Sequence, residues 1–365
     1  MTISMSRHAL AVGCIIVAAS CGHARPVGQS IAAFGSMQPG WNRVAGGPHT
    51  TCALGTSYAF FVEVGDPEKL MIYFQGGGAC WDATTCNVRG KFPYFKPAVA
   101  ERDQPYRTGI LDRANAENPV RGFTKVYVPY CTADVHLGAR TVAFDLPATP
   151  TDSARQFQIH HNGAANVTAV LDWLYAHVPS PRTILVTGES AGSIPTPVYA
   201  AVLSKHYPRA RVVQIGDGSG SYVNASGLTT SWLALPVLRR LDVLSGLDSA
   251  TLTYPSLYRL AAASSARISF AQINSSEDST QTFFLRAVDR SSPTVPVLLA
   301  QNYSDVKRAL PAFRSYTLPG AMHTIIERPE FYSASVDGVR LRDWVDALIS
   351  GTPVRDVGLS LLPAK

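Results

Sequence analysis

Short apolar runs alternate along this chain with longer stretches in which apolar positions return every three or four residues. Ser57 to Val64, Leu70 to Gln75, Thr124 to Pro129, Thr183 to Thr187, Arg211 to Ile215, Ile268 to Asn274 and Arg314 to Leu318 read as buried strands. The first two are parted by Gly65-Asp66-Pro67-Glu68, a turn-rich break that predicts an antiparallel hairpin. Between Asn162 and Val178, the positions Val167, Val170, Leu171, Leu174, Tyr175 and Val178 share one helical face, and Asn162-Gly163 supplies its N-terminal cap. Further helices are expected around Tyr199 to Leu203, ending near His206, over Asp305 to Phe313, and over Leu341 to Ile349. Residues 221–262 hold Trp232, Leu233, Leu235, Leu238, Leu241, Leu244 and Leu247, an apolar helical insertion of the kind that caps a site. Gly and Pro dominate Arg25 to Thr51 and recur through 87–122, so both stretches read as irregular surface structure. Strands alternating with helices, without repeat or linker, predict one doubly wound, mostly parallel α/β sheet over residues 25–365.

Composition narrows the picture. The chain has 365 residues, 46% hydrophobic and only 16% charged, which suits a large buried core and argues against disorder or coiled coil. Its net charge of +6 comes from scattered Lys and Arg with no basic run. That is no nucleic-acid footprint, though it suits an acidic polymer as a partner. Residues 1–24 resemble a signal peptide: Arg7 and His8 precede an apolar stretch from Ala9 to Ala19, too short to span a bilayer. Cleavage after Ala24 predicts a secreted or periplasmic protein, the alternative being a lipid anchor at Cys21. Cys52, Cys80, Cys86 and Cys131 then remain, an even number that reads as disulfides with three possible pairings. Zinc is disfavoured, because no Cys-x-x-Cys pair occurs and no histidine lies near Cys80 or Cys86 in sequence.

Candidate chemistry centres on Gly188-Glu189-Ser190-Ala191-Gly192, placed between a predicted strand and a predicted helix. Gly-x-Ser-x-Gly in that setting is the nucleophile elbow of the α/β-hydrolases. A serine hydroxyl needs an imidazole to take its proton, and the imidazole needs a carboxylate to fix its tautomer. After Ser190 only His206 and His323 are available, and His206 sits near the end of the helix leaving the elbow, so His323 is the candidate base. Asp278 follows the second strand after the elbow and is preferred as the acid over Asp217 and Glu277. Gly76-Gly77-Gly78 directly follows a strand, where backbone N–H groups can turn toward an anion together with the N–H of Ala191. Trp81, Asp134, His136 and Glu189 are expected to line the substrate pocket.

Five motifs, in order, resemble those of the pectin acetylesterase and Notum family of serine hydrolases. They are Gln75-Gly76-Gly77-Gly78-Ala79-Cys80-Trp81, Pro129-Tyr130-Cys131-Thr132-Ala133-Asp134-Val135, the elbow, Asp278-Ser279-Thr280-Gln281, and His323-Thr324-Ile325-Ile326. The resemblance implies an α/β-hydrolase fold and ester hydrolysis with no metal and no cofactor. It makes Ser190, Asp278 and His323 the triad and Gly77, Gly78 and Ala191 the oxyanion donors, and it pairs Cys80 with Cys86 and Cys52 with Cys131. One departure stands out: animal members that remove a fatty acyl group carry an aromatic residue where Gly78 stands. The expected activity is deacetylation of a polysaccharide such as pectin. The alternatives are a lipid or medium-chain carboxylesterase and a non-catalytic binding protein on a hydrolase scaffold.

Overall fold

A computed structural model of the chain describes residues 34–90, 94–100, 103–150, 152–223 and 252–364. The predicted leader, Cys21 and most of the predicted insertion lie outside these residues.

Eight strands form one sheet: β1 (Trp41–Ala45), β2 (Ala59–Glu63), β3 (Asp66–Phe74), β4 (Phe123–Val128), β7 (Thr183–Glu189), β8 (Arg211–Asp217), β9 (Ile268–Ser275) and β10 (Arg314–Leu318). β5 (Arg140–Leu146) and β6 (Arg155–His161) make a separate antiparallel ribbon. The spatial order of the sheet is β1-β2-β4-β3-β7-β8-β9-β10. All neighbours from β4 to β10 run parallel, and β1 and β2 form an antiparallel edge. Buried along their whole length, the central strands are mainly apolar and β-branched or aromatic, which is why they were legible as strands.

The expected β2–β3 hairpin does not form. β4 lies between the two, pairing antiparallel with β2 and parallel with β3. Gly65 makes this crossing possible. A Cβ there would collide with the carbonyl oxygens of Gly122 and Phe123, so only glycine lets the chain pass beneath the start of β4. The N–H groups of Gly65 and Asp66 then donate to Thr124 Oγ1 and Gly122 O at 3.1 and 2.8 Å. The stretch read as irregular before Thr51 also contains a strand, β1, which borders the sheet.

The helices are α1 (Gly163–His177), α2 (Thr196–His206), α3 (Tyr254–Ser264), α4 (Ser279–Val288), α5 (Val295–Ala309) and α6 (Leu341–Ser350). α1 starts where predicted, but Asn162 does not cap it. Asp134 does, its Oδ2 accepting the Gly163 N–H at 2.7 Å. The helix expected over Asp305 to Phe313 begins ten residues earlier as α5, because Pro296 sits in its first turn, where a missing N–H costs nothing. α2 packs on β7, β8 and β9 and on α3, and α3 packs on α5. The result is a mostly parallel α/β sheet whose strand ends at Glu189, Asp217 and Ser275 all present loops on one edge.

Candidate active site

Ser190 follows the last residue of β7 and holds φ at +53°, a left-handed conformation that costs a residue with a Cβ on the order of 1 kcal/mol. Two glycines permit the turn. A Cβ on Gly188 would press on Phe74 O at 2.6 Å, and one on Gly192 would collide with the same oxygen, so the elbow lies directly against the end of β3. Ser193 N and Ser219 Oγ both donate to Ser190 O, at 2.9 and 2.6 Å, and fix the turn from behind.

Asp278 lies just past β9 and is wholly buried. It caps α4: its Oδ1 accepts the Gln281 N–H at 2.8 Å and its Oδ2 the Gln281 side-chain amide at 2.9 Å. His323 lies past β10. Backbone bonds tie its loop to the one carrying Asp278, with Ser276 N on Leu318 O, Glu277 N on Gly320 O and Ser279 N on Ala321 O. Asp217, the rival acid, is committed elsewhere. Its Oδ2 accepts the N–H groups of Ile325 and Ile326 at 2.7 and 2.8 Å and so anchors the loop just beyond His323.

The three sequence-predicted side chains meet. His323 Nε2 is 2.7 Å from Ser190 Oγ, and His323 Nδ1 is 2.8 and 3.0 Å from the two oxygens of Asp278. A carboxylate only accepts, so Nδ1 carries the proton and Nε2 presents its lone pair to the serine hydroxyl. His323 keeps 16% of its side-chain surface exposed while Asp278 keeps none, so the imidazole alone of this pair can exchange protons with solvent. His206 stacks on Tyr175, away from this group.

The glycine loop takes backbone angles that favour glycine, with φ at +152° for Gly77 and +80° for Gly78. Its flanks are pinned by Gly76 N on Glu189 Oε1 at 2.8 Å, Ala79 N on Tyr94 O and Lys96 N on Gly77 O, both at 3.1 Å. Among the described residues, no protein acceptor takes the N–H of Gly77, Gly78 or Ala191. A side chain at Gly78 has no room, since its Cβ would collide with Tyr94 O.

A cavity of about 230 Å³ opens beside Ser190, Ala191 and Gly78. Its walls are mainly apolar, from Val135, Ile194, Leu257, Phe284, Leu285 and Leu298 among others. Trp81 lines it as expected, but Asp134, His136 and Glu189 do not. Asp134 is spent on capping α1 and on Thr132 Oγ1 and His136 N, and burial pushes its carboxyl up to about 6. His136 donates from Nε2 to Gln75 O at 2.8 Å, and burial holds its imidazole down at about 4. Glu189 lies under the glycine loop, where burial first and the Glu327 carboxyl second drive it well above the usual carboxylate range. Gln281 was not singled out beyond its motif, although Asp-x-x-Gln at a helix start is a readable capping signal.

A model of the family Pectinacetylesterase matches residues 44–304. The chain belongs to the pectinacetylesterase family. The matched span runs from β1 into α5 and takes in the glycine loop, Ser190 and Asp278. Within this pectinacetylesterase-family chain, a shorter stretch of 93 residues is 32% identical to palmitoleoyl-protein carboxylesterase notum2 of Xenopus laevis. That match covers 24% of this chain and 19% of the relative. Both disulfides implied by the resemblance are present, Cys52 with Cys131 and Cys80 with Cys86.

Proposed function

We propose that this chain is an exported serine carboxylic-ester hydrolase with an α/β-hydrolase fold. The observation that carries the reading is the 2.7 Å contact of Ser190 Oγ with a His323 ring nitrogen whose partner nitrogen is held by Asp278. His323 takes the hydroxyl proton as Ser190 Oγ attacks the ester carbonyl, and Asp278 stabilises the imidazolium that forms. The N–H groups of Gly77 or Gly78 and of Ala191 receive the charge that develops on the carbonyl oxygen. His323 hands its proton to the departing alcohol, leaving an acyl group on Ser190. Water, deprotonated by the same imidazole, then releases the acid.

The family favours an acetyl ester of a polysaccharide such as pectin. A second reading, a lipid or medium-chain ester, is supported by the apolar walls of the cavity beside Ser190. Rates across a series of acyl lengths separate the two, a maximum at acetyl supporting the first and a maximum at eight carbons or longer the second. Ser190→Ala is expected to lower turnover of a short aryl ester by at least about a thousandfold in a protein that remains folded. Retained turnover rejects Ser190 as the nucleophile, and failure of a fluorophosphonate to label Ser190 turns the reading toward a non-catalytic binding protein. Two disulfides support an oxidising compartment. No helix among the described residues is long and apolar enough to cross a membrane. The mass of the mature N-terminus decides between cleavage after Ala24 and lipidation at Cys21.

A further inference from the structure

β8 runs out into Gly216-Asp217-Gly218-Ser219-Gly220-Ser221, in which glycine alternates with a polar residue. The three polar residues are buried, and none of them belongs to the triad. Each goes to a different arm of it. Asp217 Oδ2 accepts the N–H groups of Ile325 and Ile326, just beyond His323. Ser219 Oγ donates to the carbonyl oxygen of Ser190 at 2.6 Å. Ser221 reaches the third arm through Gln281, because its N–H and its hydroxyl both donate to Gln281 Oε1, at 2.9 and 2.5 Å. A backbone N–H only donates, so the Gln281 atom it meets is the oxygen, and the amide nitrogen is turned onto Asp278 Oδ2 at 2.9 Å. The alternating glycines let the segment lie this close to its partners. A Cβ on Gly218, which holds φ at +77°, would press on His323 O at 2.7 Å, and one on Gly220 would press on the Asn274 amide at 2.6 Å. The N–H groups of these glycines pin the segment to the end of β9, Gly218 N donating to Ile273 O at 2.9 Å and Gly220 N to Asn274 Oδ1 at 2.8 Å.

We propose that Asp217, Ser219 and Ser221, the last acting through Gln281, are positioning residues, and that the segment carrying them sets all three triad members as one frame. The inference rests on the serine-esterase reading. Gln281 touches no reacting atom. It holds Asp278 Oδ2 from one side while His323 Nδ1 meets the same oxygen from another, at 2.8 Å, and so fixes how the carboxylate faces the imidazole. Ser221 in turn fixes which end of the Gln281 amide does this. Ser219 acts on the opposite arm, where it holds the carbonyl of the strained serine. Two arms hung on neighbouring residues share one support, so loosening either contact loosens the other. Losses from cutting both are then smaller than the product of the single losses.

The test compares Gln281→Met, Gln281→Glu and Ser219→Ala with the parent in the full chain, near-ultraviolet dichroism checking each fold. Gln281→Met keeps the length of the side chain but has no N–H to give Asp278. It is expected to lower kcat for a short aryl ester at least about tenfold, the scale of one hydrogen bond to a charged group, with KM within about twofold. A glutamate there accepts from Ser221 at any pH but donates to Asp278 only while protonated. The kcat of Gln281→Glu relative to the parent should therefore fall as pH rises from about 5 to about 8, whereas the Gln281→Met ratio stays level. His323, Asp217 and Tyr222, the titratable groups that face Asp278, are common to these chains and cancel in the ratio. Ser219→Ala combined with Gln281→Met should lose less than the product of the two single losses. Three results overturn the proposal: a Gln281→Glu ratio that does not change with pH, a Gln281→Met loss that lies in KM, or a double variant whose losses multiply. Fluorophosphonate labelling of Ser190 in the parent separates these outcomes from failure of the esterase reading, which leaves the parent itself unlabelled.

Discussion

Glu189 and Asp278 are both buried carboxyls near Ser190, and their surroundings set them to different tasks. Asp278 accepts two hydrogen bonds from Gln281 and one from His323. Glu189 accepts one backbone N–H, from Gly76, and burial together with the neighbouring Glu327 carboxyl raises its pKa. An acid raised in the folded state stabilises the fold below its unfolded value and loses that contribution as pH rises toward its folded value. Glu189→Gln cannot ionise but can still accept from Gly76. Urea midpoints are therefore expected to move in its favour relative to the parent between pH 4.5 and 7.5, and a constant difference contradicts the buried-acid picture. The same variant should keep activity further into alkaline pH, because no carboxylate forms beneath the glycine loop. Glu189→Ala, which frees the Gly76 N–H, should lose about tenfold in kcat. None of this was legible in the sequence, where the residue before the serine carries no constraint of its own. Ser190, Asp278 and His323 were legible because chain order left few alternatives. Asp134 and His136 were misplaced because Gly163, the group that claims Asp134, lies on a helix 29 residues away.

At the scale of elements, the elbow stores strain that its surroundings enforce. Ser190 sits at φ +53° because β7, the glycines and the bonds to its carbonyl leave the turn no other path. Ser190→Gly removes the Cβ that makes this conformation costly, so the variant should be inactive and yet more stable by about 1 kcal/mol. A urea midpoint at or below that of the parent means that the turn is relaxed. The elbow could be read from sequence because strand, glycines and helix are all local signals. The β2–β3 connection was misread for the converse reason: Gly65 is a close-approach glycine, and what it approaches is a strand nearly sixty residues onward. β1, β5 and β6 escaped notice because their side chains are largely exposed or half-buried, so no continuous apolar run marks them.

Across the whole molecule, strand order is a matter of pairing between distant segments, and no local pattern encoded β4 between β2 and β3. Cysteine count limited the pairings to three, and the family resemblance, not spacing, singled out the pair of bridges present. These bridges differ in what they close. Cys52–Cys131 spans 79 residues and ties the approach to β2 to the loop after β4, whereas Cys80–Cys86 spans only 6. If a bridge acts mainly by restricting the unfolded chain, replacing both cysteines by alanine should cost about 4 kcal/mol for the long loop and about 2 kcal/mol for the short one. Unfolding free energies from urea titrations read this, with the m-value expected to rise as the released unfolded chain expands. Activity should rank the other way, because the short bridge holds the segment leaving Gly78 and the long one holds only the frame. Equal stability losses would mean that packing around the sulfurs, and not chain entropy, sets what each bridge contributes. A larger activity loss from removing Cys52–Cys131 would mean that the glycine loop takes its shape from the sheet edge and not from the covalent clamp beside it.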